Sequence, residues 1–207
     1  MAHVTTVPAW VETTYLGLAD LLESDADAWD APSLCEGWQV RHVVAHMTMP
    51  VRFTPERYGA ELAEVGGDFG ALSDRVALRD GALPVGELVG QLRSPVLHGW
   101  TPPGGGEAGA RDHAVIHSLD VTVALDASPV APPEAVTAVL DQLAGRLGEG
   151  AWFGVDPTGL RLEADDGDWQ WSDPHGGDGP TVRADRGTLV ALLGGRTLPD
   201  GRSLPRR

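Results

Sequence analysis

Hydrophobic residues recur at helical spacing over much of the first part of the chain. Within residues 8–29 the apolar positions share one helical face, at Trp10, Val11, Tyr15, Leu18, Leu21 and Leu22. A second helix is predicted to begin near Gln39 and to run through QVRHVVAHM, residues 39–47. Pro50 and Pro55 should kink or end it, because a proline inside a helix lacks the backbone N–H and clashes with the preceding turn. The apolar positions from Tyr58 onward therefore predict a separate helical piece.

Two more helical stretches follow the Gly66-Gly67 break. Residues 72–92 predict one or two helices with an interruption at Pro84. TPPGGGEAG, residues 101–109, predicts a loop. Residues 111–126 lack glycine and proline, and they predict a helix that carries on one face His113, Ile116, His117, Asp120, Val121 and Ala124.

The pattern changes after SPVAPPEA, residues 128–135, whose three prolines predict a linker between domains. Residues 136–147 are helical in pattern, whereas GLRLEAD, WQWSD and PTVRAD alternate apolar and polar residues as half-buried strands do. RGTLVALLGG predicts a closing helix that ends at glycine. The predicted fold class is α+β: a four-helix bundle in residues 1–127, followed by a small α/β domain in residues 136–207.

Charge and cysteine content narrow the classes of partner and site. The formal charge of −15 disfavours nucleic acids and anionic membrane surfaces, because both repel an acidic protein. No apolar run approaches the roughly 20 residues of a membrane helix, and the first residues lack the features of a signal peptide, so a cytoplasmic location is expected. Cys35 is the only cysteine, which excludes an internal disulfide and a thiolate-rich zinc site. Any metal must be held by histidine and carboxylate.

The seven histidines include two pairs with a spacing of four residues, His42 with His46 and His113 with His117. Residues four apart lie on the same face of a helix, as chelation by two imidazoles requires. His42 follows Arg41 and fits a solvated position, and any one of the others alone would fit a hydrogen-bonded core histidine. An inward-facing histidine on each of two helices favours a metal site made by His46, His113 and His117.

Three imidazoles leave one position of a tetrahedral zinc open, which is typical of a catalytic site. Zinc is the expected metal, although three imidazoles also suit nickel, copper or iron. Asp120 follows His117 by three residues. It could orient an imidazole as a hydrogen-bond acceptor, or it could be an ordinary exposed acid; the sequence leaves both interpretations open.

LCEGWQVRHVVAHM, residues 34–47, resembles the C-x-G-W-x-V-R-x-x-x-x-H signature of the mycothiol-dependent maleylpyruvate isomerase family, in the DinB-like metalloenzyme superfamily. RDHAVIHSLDV, residues 111–121, is similar to the second signature of that family, R-x-[E or H]-x-x-x-H-x-x-D. The strands and the closing LVALLGGR resemble the small sterol-carrier-like domain that many members append. The resemblance implies a DinB-like bundle followed by a sterol-carrier-like domain.

Carried over by position, the resemblance implies metal ligands at His46, His113 and His117. The isomerases typically have glutamate at the middle position, whereas histidine there is typical of other DinB-like proteins. Histidine at this position leaves a bound metal more cationic than glutamate would. This departure from the isomerases supports metal binding and weakens the case for the specific isomerase activity. Cys35 matches the signature cysteine, with a packing role favoured over that of a thiolate, and His42 is not counted as a ligand.

The resemblance further implies mycothiol as a thiol cosubstrate at the open metal position. Metal coordination would deprotonate the thiol for isomerisation or S-transfer on a small electrophilic substrate. Arg75 or Arg79 could hold a substrate carboxylate, although a solvent-facing role is favoured for both. The loop at residues 101–109 could act as a lid, with a plain connector favoured.

Two alternatives remain open from the sequence. The same metal could activate water in a hydrolase, with Asp120 as the available general base. The protein could also bind a metal or small molecule without catalysis. A monomer and a homodimer are equally compatible with the sequence.

Overall fold

The computed structural model describes residues 6–147, 153–156, 158–176 and 179–206. Helices account for most of the first 147 residues. They are α1 Val7–Ser24, α2 Val40–Met47, α3 Met49–Arg52, α4 Pro55–Glu64, α5 Phe69–Asp80, α6 Val85–Leu92, α7 Pro95–His98, α8 Gly106–Thr122 and α9 Pro133–Arg146. Strands β1 Arg161–Ala164, β2 Gln170–Ser172 and β3 Thr181–Ala184 precede the last helix, α10 Arg186–Leu193. The fold class is α+β, as predicted.

Prolines set the helix boundaries at three predicted positions. Pro50 lies in the first turn of α3 and Pro55 in the first turn of α4, where a missing backbone N–H removes no helical hydrogen bond. Pro84 immediately precedes α6 and separates it from α5. The first helix ends earlier than predicted, because Trp29 lies in a 3-10 turn, Asp27–Asp30, and its indole N–H donates to the carbonyl of Leu22.

The loop prediction for residues 101–109 is wrong in its second half, since α8 begins at Gly106. Pro102 packs against this helix start. A Cβ on Gly105 or on Gly109 would lie 2.7 Å from the Pro102 ring carbon, so only glycine allows this approach at either position. The glycines that suggested a flexible loop thus permit close packing of Pro102 on the helix that bears two of the histidines.

The bundle buries the predicted apolar faces. Helix α1 packs along α8 and α6, while α2 packs against α5 and α8. Tyr15, Leu18 and Leu22 of α1 share a core with Val43 and Val44 of α2. This packing places the middle of α2 beside α8, and their facing side chains can therefore meet inside the bundle.

The three strands form one sheet in the order β2-β1-β3. β1 pairs antiparallel with β2, with Leu162 opposite Trp171, and parallel with β3, with Leu162 opposite Val182. Helices α9 and α10 pack against each other. The likeness of these elements to a sterol-carrier domain stays a prediction.

The predicted linker at residues 128–135 does not separate two independent cores. Helix α9 already begins at Pro133. Val115 and Leu119 of α8 belong to the same buried cluster as Leu140 of α9 and Leu189 of α10. The C-terminal elements are therefore packed directly on the outer face of α8. The prolines mark the bend between two packed helices, and a domain boundary at this point stays a prediction.

In the described ranges no helix is long and apolar enough to cross a membrane.

A substitution at Leu119 tests how strongly the N-terminal helices and the C-terminal elements stabilise each other. Leu119 is fully buried, and one of its methyl carbons lies 2.9 Å from where a Cβ on Gly187 of α10 would be. Leu119→Ala should lower the free energy of unfolding by about 2–5 kcal/mol, because it leaves a cavity at this junction. Urea denaturation measures the change. Leu78→Ala, at a residue 56% exposed on α5, is the matched control and should stay within about 0.5 kcal/mol; equal effects would contradict the shared core.

Candidate metal centre

Helix α2 supplies the first histidine of the centre. The backbone N–H of Gln39 donates to Nδ1 of His42 at 3.0 Å, so His42 is occupied at the start of the helix. One turn later His46 points into the bundle and is only 5% exposed. Of the pair His42 and His46, the first caps the start of the helix and the second is buried. That His42 is no ligand stays a prediction.

Helix α8 supplies the other two histidines from adjacent turns of one face. One ligand atom from each of His46, His113 and His117 lies within 4.8 Å of the others. The ring centroids are 4.8 Å apart for His46 and His117, 5.1 Å for His113 and His117, and 5.4 Å for His46 and His113. The structure thus brings together the three residues that the sequence singled out, from two separate helices.

Hydrogen bonds orient the two rings of α8. The phenol of Tyr15 lies 2.9 Å from Nδ1 of His113. Nδ1 of His117 donates to Oδ2 of Asp120 at 2.9 Å. With both Nδ1 atoms occupied, Nε2 is the nitrogen that each of these rings has left for another partner. Tyr15 was predicted only as a core position, because nothing in a single sequence shows which buried phenol meets a histidine 98 residues away.

The rings are uncharged where they are buried. Burial, followed by the electrostatic influence of His117, lowers the pKa of His46 to about 3. Burial also lowers the pKa of His113 well below its ordinary value, and the other two imidazoles add to the effect. Neutral imidazoles are the form that binds metal ions. Nδ1 of His46 is moreover buried without a hydrogen-bond partner. An unpaired buried nitrogen beside the two oriented rings of α8 fits a small cation.

Asp120 is 1% exposed and accepts hydrogen bonds from three parts of the chain. Arg196, just after α10, donates from Nε at 2.7 Å and from Nη2 at 2.9 Å. The thiol of Cys35 lies 3.1 Å from Oδ2, the same oxygen that His117 contacts. Burial alone would raise the pKa of Asp120, but the hydrogen bonds from His117 and Arg196 outweigh it and lower the pKa to about 2. Asp120 is thus an anionic acceptor that orients His117, and the alternative of an exposed acid is wrong.

Cys35 is a neutral donor in this arrangement. Burial and the adjacent Asp120 raise the pKa of its thiol well above the ordinary value, so the thiolate is disfavoured. Cys35, His117 and Asp120 also lie close enough to suggest a second metal site. Hydrogen bonds already join Asp120 to both of the others, so that set is satisfied without a cation. Arg196 was missed by the sequence analysis, since its distance from Asp120 along the chain gives no signal.

A cavity of about 580 Å³ opens above the three histidines. Its aromatic walls are Phe53, Tyr58, Phe69 and Trp100. Four prolines line it as well, Pro50, Pro55, Pro102 and Pro103, together with Met49 and Thr54. A cavity of this size suits a small molecule, and the histidines are its most polar surface.

Arg75 and Arg79 do not line this cavity. Arg75 pairs with Glu64 at 2.7 Å, and both side chains are largely exposed. Arg79 pairs with Asp80 at 2.6 Å and with Glu61 at 2.9 Å. Both guanidinium groups already have carboxylate partners on the surface of the bundle, so we assign neither a role in holding a substrate.

Comparison with known proteins identifies the N-terminal part of the chain. Residues 15–96 match the protein-family model described as "Mycothiol maleylpyruvate isomerase N-terminal domain". This segment belongs to that domain family. It contains Tyr15, Cys35 and His46, whereas His113 and His117 lie beyond it. No curated protein matches the chain in sequence.

Two solved structures resemble the fold. One is described as the crystal structure of a histidine-to-alanine mutant of the mycothiol-dependent maleylpyruvate isomerase; it is 17% identical, covers 98% of this chain and 95% of that chain, and has a TM-score of 0.53. The other is described as the crystal structure of the mycothiol-dependent maleylpyruvate isomerase, with 18% identity, the same coverage and a TM-score of 0.44. At this identity the first likeness shows a shared fold, including the C-terminal part, and no more.

Removal of one imidazole should abolish tight metal binding. His46→Ala leaves two ligands, and we expect the bound metal per chain to fall from near one equivalent to a small fraction, because the third ligand completes the site. Elemental analysis of untagged protein, followed by a zinc titration, measures this. His175→Ala removes an exposed histidine outside the cluster and should bind zinc like the unmutated protein. Equal zinc binding by both variants would refute the site.

Asp120→Asn tests whether Asp120 orients His117 for metal binding in addition to stabilising the fold. The variant should bind zinc about 10–100-fold more weakly, because His117 loses its anionic partner. It should also unfold more easily, by about 3–5 kcal/mol, since Arg196 is left without its carboxylate. Asp112→Asn is the matched control: Asp112 precedes His113 in α8, but its buried carboxylate is bonded to Arg111 and Gln142 and not to the three histidines, so stability should fall without a change in zinc affinity.

The stability lost in Asp120→Asn should depend on pH. Asp120 has a folded-state pKa of about 2, below the value of about 3.9 for an unfolded aspartate. A carboxyl group whose pKa is lower in the folded state stabilises the fold at pH values above its unfolded-state pKa. This stabilisation is lost as the pH falls toward the folded-state pKa. The difference between the two proteins in urea denaturation should therefore be constant above about pH 5 and shrink between about pH 4 and pH 2. A difference in unfolding free energy that stays constant down to pH 2 would show that the charge of Asp120 does not stabilise the fold.

Proposed function

We propose that the protein is a metal-dependent enzyme that uses mycothiol as a thiol cosubstrate for isomerisation or S-transfer on a small electrophile. The observation that carries the proposal is the convergence of three imidazoles, two of them buried with lowered pKa values, in the lining of an apolar cavity. The domain family of residues 15–96 supports the choice of thiol. A divalent cation, zinc or alternatively nickel, would hold the thiol as a thiolate, which supplies the nucleophile at neutral pH.

The proposed reaction assigns separate roles to the histidines, to the residues that orient them and to the cavity walls. His46, His113 and His117 would hold the cation through neutral nitrogens, leaving one side directed to the cavity. Tyr15 and Asp120 would fix the rings of α8 through their Nδ1 atoms. The aromatic walls would keep water away from the thiol and place the electrophile against it. In isomerisation the sulfur–carbon bond would form as a double bond opens and would break again after rotation, so no proton or thiol is consumed. In S-transfer the adduct would be kept, and its carbanion would take a proton from water.

The hydrolase alternative is less well supported. Activation of water would need a general base near the metal, and Asp120 was its candidate. Both oxygens of Asp120 are engaged by Arg196, Cys35 and His117, and its low pKa makes it a poor proton acceptor. Among the described residues no carboxylate, Asp120 included, lines the cavity. A non-catalytic metal-binding role is less well supported too, because the cavity provides space for a second molecule beside the cluster.

A thiol titration of cobalt-loaded protein tests the proposal without knowledge of the substrate. Mycothiol should produce a sulfur-to-cobalt charge-transfer band, because its thiolate binds the open metal position. S-methylated mycothiol, which has no ionisable thiol, should produce none, and His46→Ala should show no band with either compound. Thiol-dependent conversion of dimethyl maleate into its trans isomer, followed by NMR, then distinguishes isomerisation from adduct formation. The absence of a mycothiol-dependent band would refute the thiol role.

A further inference from the structure

The cavity above the histidines contains no charged wall residue among those that the structure describes. Its lining consists of aromatic rings, prolines, one methionine and one threonine around the three imidazoles. Among the described residues that line it there is no arginine, aspartate or glutamate, and the chain has no lysine. A substrate carboxylate placed against these walls, on the side of the cavity away from the proposed metal and thiol, would lose its water without gaining a cationic side chain as a partner, which is costly.

We propose that this cavity selects an uncharged electrophile with a flat or aromatic body, and discriminates against carboxylate substrates. The inference rests on the proposed function in taking the thiol to occupy the metal side of the cavity. It goes further because it assigns the chemical class of the molecule that the thiol attacks.

The arginines nearest to the cavity are already engaged. Arg52 is buried on α3 and donates to Asp80 at 3.0 Å, to Thr48 at 2.8 Å and to the Ala45 carbonyl at 2.6 Å. Its remaining contact is a hydrogen bond to the side-chain oxygen of Gln91. These bonds join α2, α3, α5 and α6 behind the cavity wall. Arg52 therefore stabilises the scaffold through four hydrogen bonds and does not line the cavity.

Two other arginines contact the outer wall at Phe53. The guanidinium carbon of Arg57 lies 4.3 Å from the Phe53 ring centroid, and that of Arg79 lies 5.9 Å from it. Glu61 accepts a hydrogen bond from each of these arginines, at 3.0 Å and 2.9 Å. Neither arginine lines the cavity. Asp80 also pairs with Arg79, so each guanidinium group already has a carboxylate partner, and a ligand inside meets the Phe53 ring.

The aromatic lining of the cavity favours a flat molecule. Phe53, Tyr58 and Trp100 are among the lining residues, and Trp100 lies 5.2 Å from the His113 ring in an edge-on arrangement. Phe69 is 52% exposed and lines the cavity, so it lies where the cavity meets solvent. A planar ligand can stack on these rings while its reactive carbon lies toward the histidines.

The test compares methyl 2-naphthoate with 2-naphthoate, which share a ring system and differ in charge. Equilibrium dialysis is carried out with metal-depleted protein and with zinc-loaded protein saturated with mycothiol. The ester should bind at least about tenfold more tightly than the acid in both preparations, because only the acid must bury an unpaired charge. Binding of the acid as tight as that of the ester in either preparation would overturn the inference.

A charge placed at the cavity mouth provides the matched variant. Phe69→Arg adds a guanidinium where the cavity opens and should reduce the preference for the ester severalfold by improving binding of the acid. Leu78→Arg lies on the same helix with similar exposure but outside the cavity, and should leave the preference unchanged. Equal effects of the two substitutions would show that the preference arises from the general surface charge and would overturn the inference.

These outcomes are separate from the test of the proposed function. An ester preference without a mycothiol-dependent cobalt band would support the cavity chemistry and refute the thiol role. A cobalt band with equal binding of acid and ester would support the thiol role and refute the substrate class.

Discussion

The buried carboxylate of Asp120 is the interaction on which the rest of the structure depends. It receives hydrogen bonds from His117 in α8, from Cys35 in the segment before α2, and from Arg196 after α10. The backbone carbonyl of Asp120 also accepts from the N–H of Leu34. One anion therefore connects the His117 ring with the loop that leads to the helix of His46 and with the C-terminal elements. Burial would ordinarily favour its protonation, and the four donors to its two oxygens keep it charged.

The centre combines neutral rings with an apolar cavity. Burial keeps His46 and His113 uncharged, so their nitrogens are available to a cation, and the anionic Asp120 offsets part of the charge that a cation would bring. The cavity contributes rings and prolines and, among its described lining residues, no counter-ion. Electrostatic interaction with a ligand is therefore concentrated at the imidazoles, while the walls contribute contact area and exclude water. This division supports both a metal-held thiol and an uncharged second substrate.

The C-terminal elements take part in the centre through α8. Leu119 packs among them on one side of that helix, and Asp120, the next residue, bonds to Arg196. Asp120 is thus the residue that connects the C-terminal elements to the ring of His117. Prolines mark a bend equally well between separate domains and between helices that share a core, so the prolines of residues 128–135 gave no indication of this contact.

The sequence by itself determined the helices with strong periodicity, the proline boundaries at Pro50, Pro55 and Pro84, the α+β class and the three histidines. These features are local, since a face of a helix or the spacing of two ligands is defined within a few residues. The partners Tyr15 and Arg196, the helical start at Gly106, the surface ion pairs of Arg75 and Arg79 and the uncharged cavity were decided by the tertiary structure. Each depends on which distant segments pack together, and the free energy of that packing comes from contacts that no local pattern contains.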